Sequence, residues 1–141
     1  MKGYKFKDHT ADVLFESTGK NLNEVFENSA LAVFEVQTNL NKVDCKLKRK
    51  IKLKNKTAEN LLFDFLEELI YLKDAKYMLF SKFSVKIADE KNKFKLEAVA
   101  EGEKINPKKH ELKVDVKAVT LHEFYLKKAK NGYKARVILD I

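Results

Sequence analysis

Tryptophan is absent from this 141-residue sequence, and cysteine and proline occur once each, as Cys45 and Pro107. A single thiol allows neither an internal disulfide nor a zinc site built from cysteines, which favours a reducing compartment. Four glycines are too few for a low-complexity linker. Cys45 stands in an alternating stretch, so we expect a buried small apolar side chain there and not a nucleophile.

The sequence also lacks an apolar run that resembles a signal peptide or a membrane span. It begins MKGYKFKDH, and the most apolar helical stretch, around 61–72, is interrupted by three acidic residues. We therefore expect a soluble, cytoplasmic protein without a membrane partner. The length predicts one domain over 1–141, and 45% hydrophobic with 35% charged residues suits a globular chain.

Recognisable catalytic motifs are missing as well. The chain has no Gly-rich phosphate loop, no dinucleotide fingerprint and no Gly-x-Ser-x-Gly turn. Its histidines, His9, His110 and His122, are too scattered for two ligands on one turn of a metal-binding helix. An enzyme needs a positioned acid, base or nucleophile, and no complete set is evident here.

What the sequence does contain is a regular alternation of helical and extended patterns. Asn21 with Glu24 predicts the start of a helix over 22–37, and Thr57 predicts the start of a second over 58–74. Period-two alternation predicts about eight strands. These strands cover 3–7, 13–18, 43–53, 83–87, 94–100, 112–116, 119–126 and 133–139. Short turns between them, Asn131-Gly132 among these, predict a largely antiparallel sheet. We expect an α+β fold in two layers, with both helices packed on one face of the sheet.

The net charge of +8 is concentrated in one segment. Residues 42–56 contain eight lysines and arginines and a single acidic residue, Asp44. Such a cluster attracts polyanions, and each phosphate that it neutralises adds salt-dependent affinity. The same pattern also fits a solvated strand whose lysines prevent edge-to-edge pairing. The segment therefore allows both a basic RNA-binding module and an ordinary exposed strand.

Carboxylates stand at both ends of the chain. Asp140 is followed directly by Ile141 and its terminal carboxylate, and a third carboxylate from Asp12 would complete an all-oxygen set. Hard cations such as Ca²⁺ or Mg²⁺ prefer oxygen ligands. Asp12 equally suits a turn cap, and a terminal Asp is often solvated. Spacing alone does not bring residue 12 beside residue 140.

Another polar cluster lies in residues 116–124, which contain His122 next to Glu123. In an enzyme these two side chains could form an acid/base pair. Neighbours on a strand point to opposite faces, so we expect no direct pairing between them. Contact with a partner, or support of a nearby site, is the favoured interpretation.

Five stretches carry a resemblance to a known family. They are HTADV at 9–13, NLNEVFENSALAVFEV at 21–36, AENLLFDFLEELIYL at 58–72, VKAVTLHEF at 116–124 and ARVILDI at 135–141. In their order, their spacing and the total length, the whole chain resembles archease. The first and last motifs are the most specific.

The resemblance implies an accessory protein and not an enzyme. Archeases assist the RtcB-type tRNA-splicing RNA ligase, which uses GTP, a divalent metal and a guanylylated histidine. They promote its guanylylation, permit multiple turnover and broaden its nucleotide use. The family's metal-binding pair corresponds to Asp12 and Asp140, with Ile141 able to add its terminal carboxylate.

Five other polar residues of the matched motifs are candidates for contact with the ligase. They are His9, Thr10, Lys117, His122 and Glu123. The basic segment 42–56 does not belong to any of the motifs that carry the resemblance, so contact with tRNA through it remains a separate hypothesis.

Overall fold

The computed structural model describes residues 3–7 and 12–141. Within them it has two α-helices, one 3-10 turn and seven strands. In chain order these are β1 (Tyr4–Lys7), β2 (Val13–Gly19), α1 (Leu22–Glu35), the 3-10 turn (Leu40–Lys42), β3 (Leu47–Asn55), α2 (Ala58–Lys76), β4 (Met78–Glu90), β5 (Lys93–Lys104), β6 (Ala118–Ala129) and β7 (Gly132–Asp140).

Both helices begin where side-chain capping predicts. The Asn21 side chain accepts a hydrogen bond from Glu24 N at 2.9 Å, and the Glu24 carboxylate accepts one from Lys20 N at 3.3 Å. The Thr57 hydroxyl accepts from Asn60 N at 3.0 Å. These bonds satisfy amide groups that have no partner within the helix. Helix α1 ends two residues before the predicted boundary, and α2 continues two residues beyond it.

The strands form two sheets in which every described pair is antiparallel. The first has the order β1-β2-β7-β6, and the second has the order β3-β5-β4. The predicted α+β class with antiparallel pairing is confirmed, while the strands divide between two sheets instead of forming one. Helices α1 and α2 pack against strands of both sheets.

The core lies between the helices and the inner faces of the two sheets. Its largest fully buried side chains are aromatic, namely Phe15, Phe26, Phe34, Phe65 and Phe80. They come from β2, both helices and β4, so one apolar cluster joins both sheets. No helix in the described part of the chain is long and apolar enough to cross a bilayer.

The prediction of a strand over 112–116 is wrong. In the described part of the chain these residues pair with no strand, because Gln37 and Lys73 take their backbone hydrogen bonds. The Gln37 backbone carbonyl accepts from Lys113 N at 2.9 Å, and the Gln37 side chain accepts from Val116 N at 3.1 Å. Buried Lys73 donates to Val116 O at 2.9 Å and also pairs with Asp115. The alternation of apolar residues in this segment therefore reflects packing and not pairing with another strand.

Strand β3 begins at Leu47, four residues later than predicted, and Cys45 is exposed instead of buried. The preceding segment is held by the end of β5. The Lys46 amide donates to Gly102 O at 2.9 Å, and the Asp44 amide donates to the Glu103 carboxylate at 2.8 Å. These contacts turn the Cys45 side chain outward, where its sulfur lies 3.6 Å from Ser81 Oγ.

Candidate functional site

The register between β2 and β7 brings the two ends of the sequence together. Val13 faces Leu139 across this pair, at the last position of the ladder. Asp12 and Asp140 directly adjoin this last pair, so both lie at the same end of the β2–β7 pair. Asp12 lies at the bend just before β2 and is half-buried, while Asp140 is the exposed last residue of β7.

Residues that face each other across antiparallel strands project from the same side of the sheet. Leu139 is fully buried in the core, so Asp140 projects from the opposite, outer side. Asp12 precedes the first residue of the ladder and lies in a bend, so the register itself does not assign its side chain to a face.

Strand β6 adds a further predicted residue at this end of the sheet. Ala118 pairs with Asp140, and Lys117 N donates a hydrogen bond to Asp140 O at 2.8 Å. Ile141 follows directly and is partly exposed. Lys117, Asp140 and the chain terminus thus lie side by side.

The β6 strand departs from its ladder immediately after this point. Thr120 faces Ile138, but the next pair joins Tyr125 to Arg136, so four residues of β6 stand where β7 has one. Glu123, within this bulge, has a left-handed φ of 55°, which is uncommon for a residue with a side chain. Leu121 is 72% exposed, which is unusual for a large apolar side chain beside polar neighbours. The bulge (residues 121–124) is a protruding surface on the edge strand of the first sheet.

The expectation that His122 and Glu123 do not pair is wrong. His122 Nε2 lies 3.0 Å from Glu123 Oε2, because the left-handed backbone at Glu123 breaks the alternation of a regular strand. Glu123 Oε1 also lies 3.0 Å from a terminal nitrogen of Arg136. The His122 side chain is 72% exposed, which suits a contact surface better than an enclosed acid/base site.

Two members of this outer face were not identified from the sequence, namely Arg136 and Glu16. They face each other across β2 and β7. Glu16 is nearly buried, and this burial raises its pKa, but the charges of Lys134 and Lys7 outweigh it and hold the pKa below its usual range. The sequence did contain a signal for both residues, because each charged side chain stands between apolar or small neighbours in β2 or β7.

The two carboxylates predicted as ligands, Asp12 and Asp140, offer the type of oxygen donor that hard cations prefer. Thr120 projects from the same outer face by register, and its hydroxyl is buried without a hydrogen-bond partner in the described part of the chain. Within residues 3–7 and 12–141, no three His, Cys, Asp or Glu side chains converge on one point.

Two of the predicted contact residues, His9 and Thr10, lie outside the residues that the structure describes. The basic segment 42–56 belongs to the second sheet and to its approach, away from the β2–β7 ladder.

Comparison with known proteins gives one family. The model of the archease protein family (MTH1598/TM1083) matches residues 4–141. The protein archease of Sulfurisphaera tokodaii is 46% identical over 141 residues, and that of Pyrococcus abyssi is 40% identical over 142, with both proteins covered completely in each case. The solution structure of Methanobacterium thermoautotrophicum protein 1598 superimposes with a TM-score of 0.90 at 42% identity, over the whole of both chains. The chain belongs to the archease family.

Proposed function

We propose that this protein activates an RtcB-type tRNA-splicing RNA ligase. It promotes guanylylation of the ligase, supports multiple turnover and broadens the range of nucleotides used. The observation that supports the proposal is the β2–β7 register: its last pair is Val13–Leu139, and the aspartates of the two most specific family motifs are the next residues on the two chain segments. The protein is an accessory factor, acts in the cytoplasm and performs no ligation alone.

The proposed cation ligands are Asp12, Asp140 and the terminal carboxylate of Ile141. Oxygen-only ligation favours Ca²⁺ or Mg²⁺ over zinc. When bound, such a cation would supply positive charge beside nucleotide phosphates at the ligase. A shell with few protein ligands leaves room for a phosphate or a ligase side chain, which suits a cation shared between two proteins.

The bulge at 121–124 is the proposed contact with the ligase. Leu121 offers an exposed apolar side chain beside the charged His122–Glu123–Arg136 group, and Lys117 directly precedes the same strand. An apolar centre with a polar rim is the usual composition of a protein interface. His9 and Thr10 are proposed contacts from the first motif.

Substitution of the two aspartates tests the cation site. Asp12→Asn and Asp140→Asn should each abolish stimulation of ligase guanylylation and of ligation at excess RNA, while the circular dichroism spectrum and Tm stay near those of the parent. Asp89→Asn, which removes an exposed carboxylate in the second sheet, is the matched control and should stimulate normally. Normal stimulation by both site variants would overturn the proposal.

Extension of the chain tests the terminal carboxylate separately. Residues added after Ile141 displace the carboxylate without changing any side chain. We expect weaker Ca²⁺ binding by calorimetry together with reduced stimulation. Unchanged binding would remove Ile141 from the ligand set and leave the two aspartates as the site.

The contact surface has its own test. Leu121→Asp should raise the concentration of this protein that gives half-maximal ligase stimulation by at least about tenfold, which corresponds to about 1.4 kcal/mol of binding free energy. Leu112→Asp is the control, because Leu112 is also exposed, at 55%, but lies in the irregular segment 111–117. Equal effects of the two changes would place the contact elsewhere.

A second candidate function is an RNA-binding module built on the basic segment 42–56. The exposure of its lysines along β3 favours this candidate. It is compatible with ligase activation, because the segment and the proposed cation site belong to different sheets.

A further inference from the structure

The outer face of the second sheet is a regular basic surface contributed by all three strands. Along β3 the buried Ile51 and half-buried Leu53 alternate with exposed lysines, and the same alternation continues across β5 and β4. The register gives four cross-strand rows on this face: Lys48–Glu101–Lys82, Lys50–Val99–Ser84, Lys52–Glu97–Lys86 and Lys54–Lys95–Ala88. We call these twelve residues the basic face.

The basic face has seven lysines and two glutamates. Glu101 lies between Lys48, at 4.0 Å, and Lys82, at 3.8 Å, so its charge is neutralised locally. Within residues 3–7 and 12–141, four of the lysines form no ion pair, namely Lys50, Lys52, Lys54 and Lys86. The surface therefore has a net positive charge, with seven lysines against two glutamates.

Protection of a sheet edge does not account for this pattern. Strands β3 and β4 are the edges of the second sheet, and lysine on an edge strand hinders pairing with another chain. Lys95, however, lies on the central strand β5, and the lysines of the basic face project from the sheet face in successive rows. Outward side chains on one strand repeat about every 6.8 Å, which gives a grid of positive charges.

The chemistry of the basic face indicates the type of ligand. None of its twelve positions is aromatic, so it has no platform on which unpaired bases could stack. A groove of about 550 Å³, lined by Lys52, Lys54, Lys95 and Glu97 with Leu53 and Leu96, opens at one end of the face. Regularly spaced lysines without stacking residues suit the phosphates of a paired backbone.

We infer that the basic face binds the phosphate backbone of paired RNA, independently of its sequence. The choice of RNA rests on the proposed function, which places this protein beside an RNA ligase. Double-helical RNA is recognised chiefly through its shape and backbone. The basic face would hold the paired arm of an RNA whose ends occupy the ligase.

Fluorescence anisotropy with a short RNA duplex and with an unpaired strand of the same length tests the inference. We expect tighter binding to the duplex, with log K falling against log salt at a slope of about −0.9 for each phosphate contacted. Four contacts would weaken binding about 100-fold between roughly 50 and 200 mM salt. The triple variant Lys50→Gln, Lys52→Gln, Lys86→Gln should bind at least tenfold more weakly and show a shallower slope.

A charge-matched control separates this face from net charge. The variant Lys108→Gln, Lys113→Gln, Lys130→Gln loses the same three charges from exposed positions outside the second sheet and should bind duplex RNA nearly as well as the parent. Equal losses in both triple variants, absence of binding at low salt, or preference for the unpaired strand would overturn the inference.

Guanylylation of the ligase without RNA distinguishes this inference from the proposed function. The basic-face variant should stimulate that half-reaction normally, because the lysines lie outside the proposed cation site and ligase contact. If the basic-face variant stimulates guanylylation normally and still binds RNA as well as the parent, the inference about the basic face is wrong and the proposed function is unaffected. The Asp12 and Asp140 variants test the proposed function separately, whatever the result for the basic face.

Discussion

Glu103 Oε2 lies 3.0 Å from His110 Nε2, and both side chains are buried. The same oxygen accepts hydrogen bonds from Lys109 Nζ at 2.7 Å and from the Asp44 amide at 2.8 Å. His110 Nδ1 accepts from Asn106 N at 2.9 Å, so its Nε2 has the hydrogen that is donated to Glu103. The hydrogen bond from Lys109, with that from Asp44, lowers the pKa of Glu103 to about 2. This network fastens the loop after β5 to the segment before β3.

The first prediction concerns the pH dependence of stability. Because the pKa of Glu103 is lower in the folded chain than its usual value of 4.5, its ionised form stabilises the fold above that pH, and this contribution is lost as the pH falls towards 2. Glu103→Gln should lower the free energy of unfolding at pH 7 by about 1–3 kcal/mol. Urea denaturation between pH 7 and 2 should show the difference from the parent shrinking below about pH 4.5.

Glu111→Gln is the control for this experiment, because Glu111 is an exposed carboxylate close in sequence. It should change the stability little at any pH. A Glu103→Gln effect of constant size down to pH 2 would contradict the predicted coupling to ionisation.

The second prediction concerns Lys73, which is 4% exposed in the last turns of α2. Its ammonium group donates to Val116 O and pairs with Asp74 and Asp115, both of which are exposed. Lys73→Ala removes a buried apolar stem as well as these bonds and should cost about 2–4 kcal/mol in denaturant unfolding. Lys73→Met retains most of the stem and should cost less.

Hydrogen exchange gives a local measurement of the same change. In both Lys73 variants the amides of segment 111–117 should exchange faster, because their anchor to α2 is lost. Asp74→Asn, which keeps the Lys73 bonds to Val116 and Asp115, is the control. Unchanged exchange in this segment would show that Gln37 alone anchors it.

The third prediction concerns Gly132, the first residue of β7 after the turn from β6. Its φ is +144°, and a Cβ at this position would lie 2.1 Å from Gly19 O. Gly132→Ala should cost at least about 1–3 kcal/mol from backbone strain alone, and the contact with Gly19 adds to it. Thermal unfolding should show a clear fall in Tm, whereas Lys130→Ala in the same turn should have little effect. Equal Tm values for the two variants would refute the steric argument.

The fourth prediction tests the cap of α1. Asn21→Ala removes the acceptor for Glu24 N and should lower stability by about 1 kcal/mol, while Asn21→Ser supplies another acceptor and should restore most of it. Chemical denaturation measures both changes. Similar losses for Ala and Ser would indicate that the Asn21 side chain contributes in another way.

The sequence predicts local features of this fold better than those that depend on distant partners. Capping residues and apolar spacing located both helices, because their determinants lie within a few residues of each other. Segment 112–116 shows the limit of this approach. Its alternation of Leu112, Val114 and Val116 is that of a strand, yet Gln37 and Lys73, both far away in sequence, take its backbone hydrogen bonds.

The candidate site likewise combines features that the sequence showed with features that depend on distant partners. Asp12 and Asp140 stood out as carboxylates, but only the β2–β7 pairing shows that they adjoin the same end of one sheet. Glu123 was expected to point away from His122, because its left-handed backbone is not encoded by a glycine or asparagine at that position. The sequence showed only part of the basic face. The lysines of β3 cluster in sequence, whereas Lys82, Lys86 and Lys95 join them only through strand pairing.

Strand β7 is the last element in chain order, yet it lies between β2 and β6 inside the first sheet. During synthesis, β2 must therefore wait until nearly all of the chain has emerged before it gains its central neighbour. Pairings between such distant residues are slow to form. A chain truncated before β7 would leave β2 paired with β1 alone and β6 without a strand partner, and it would lack Asp140. The end of the sheet that holds Asp140 is thus assembled last.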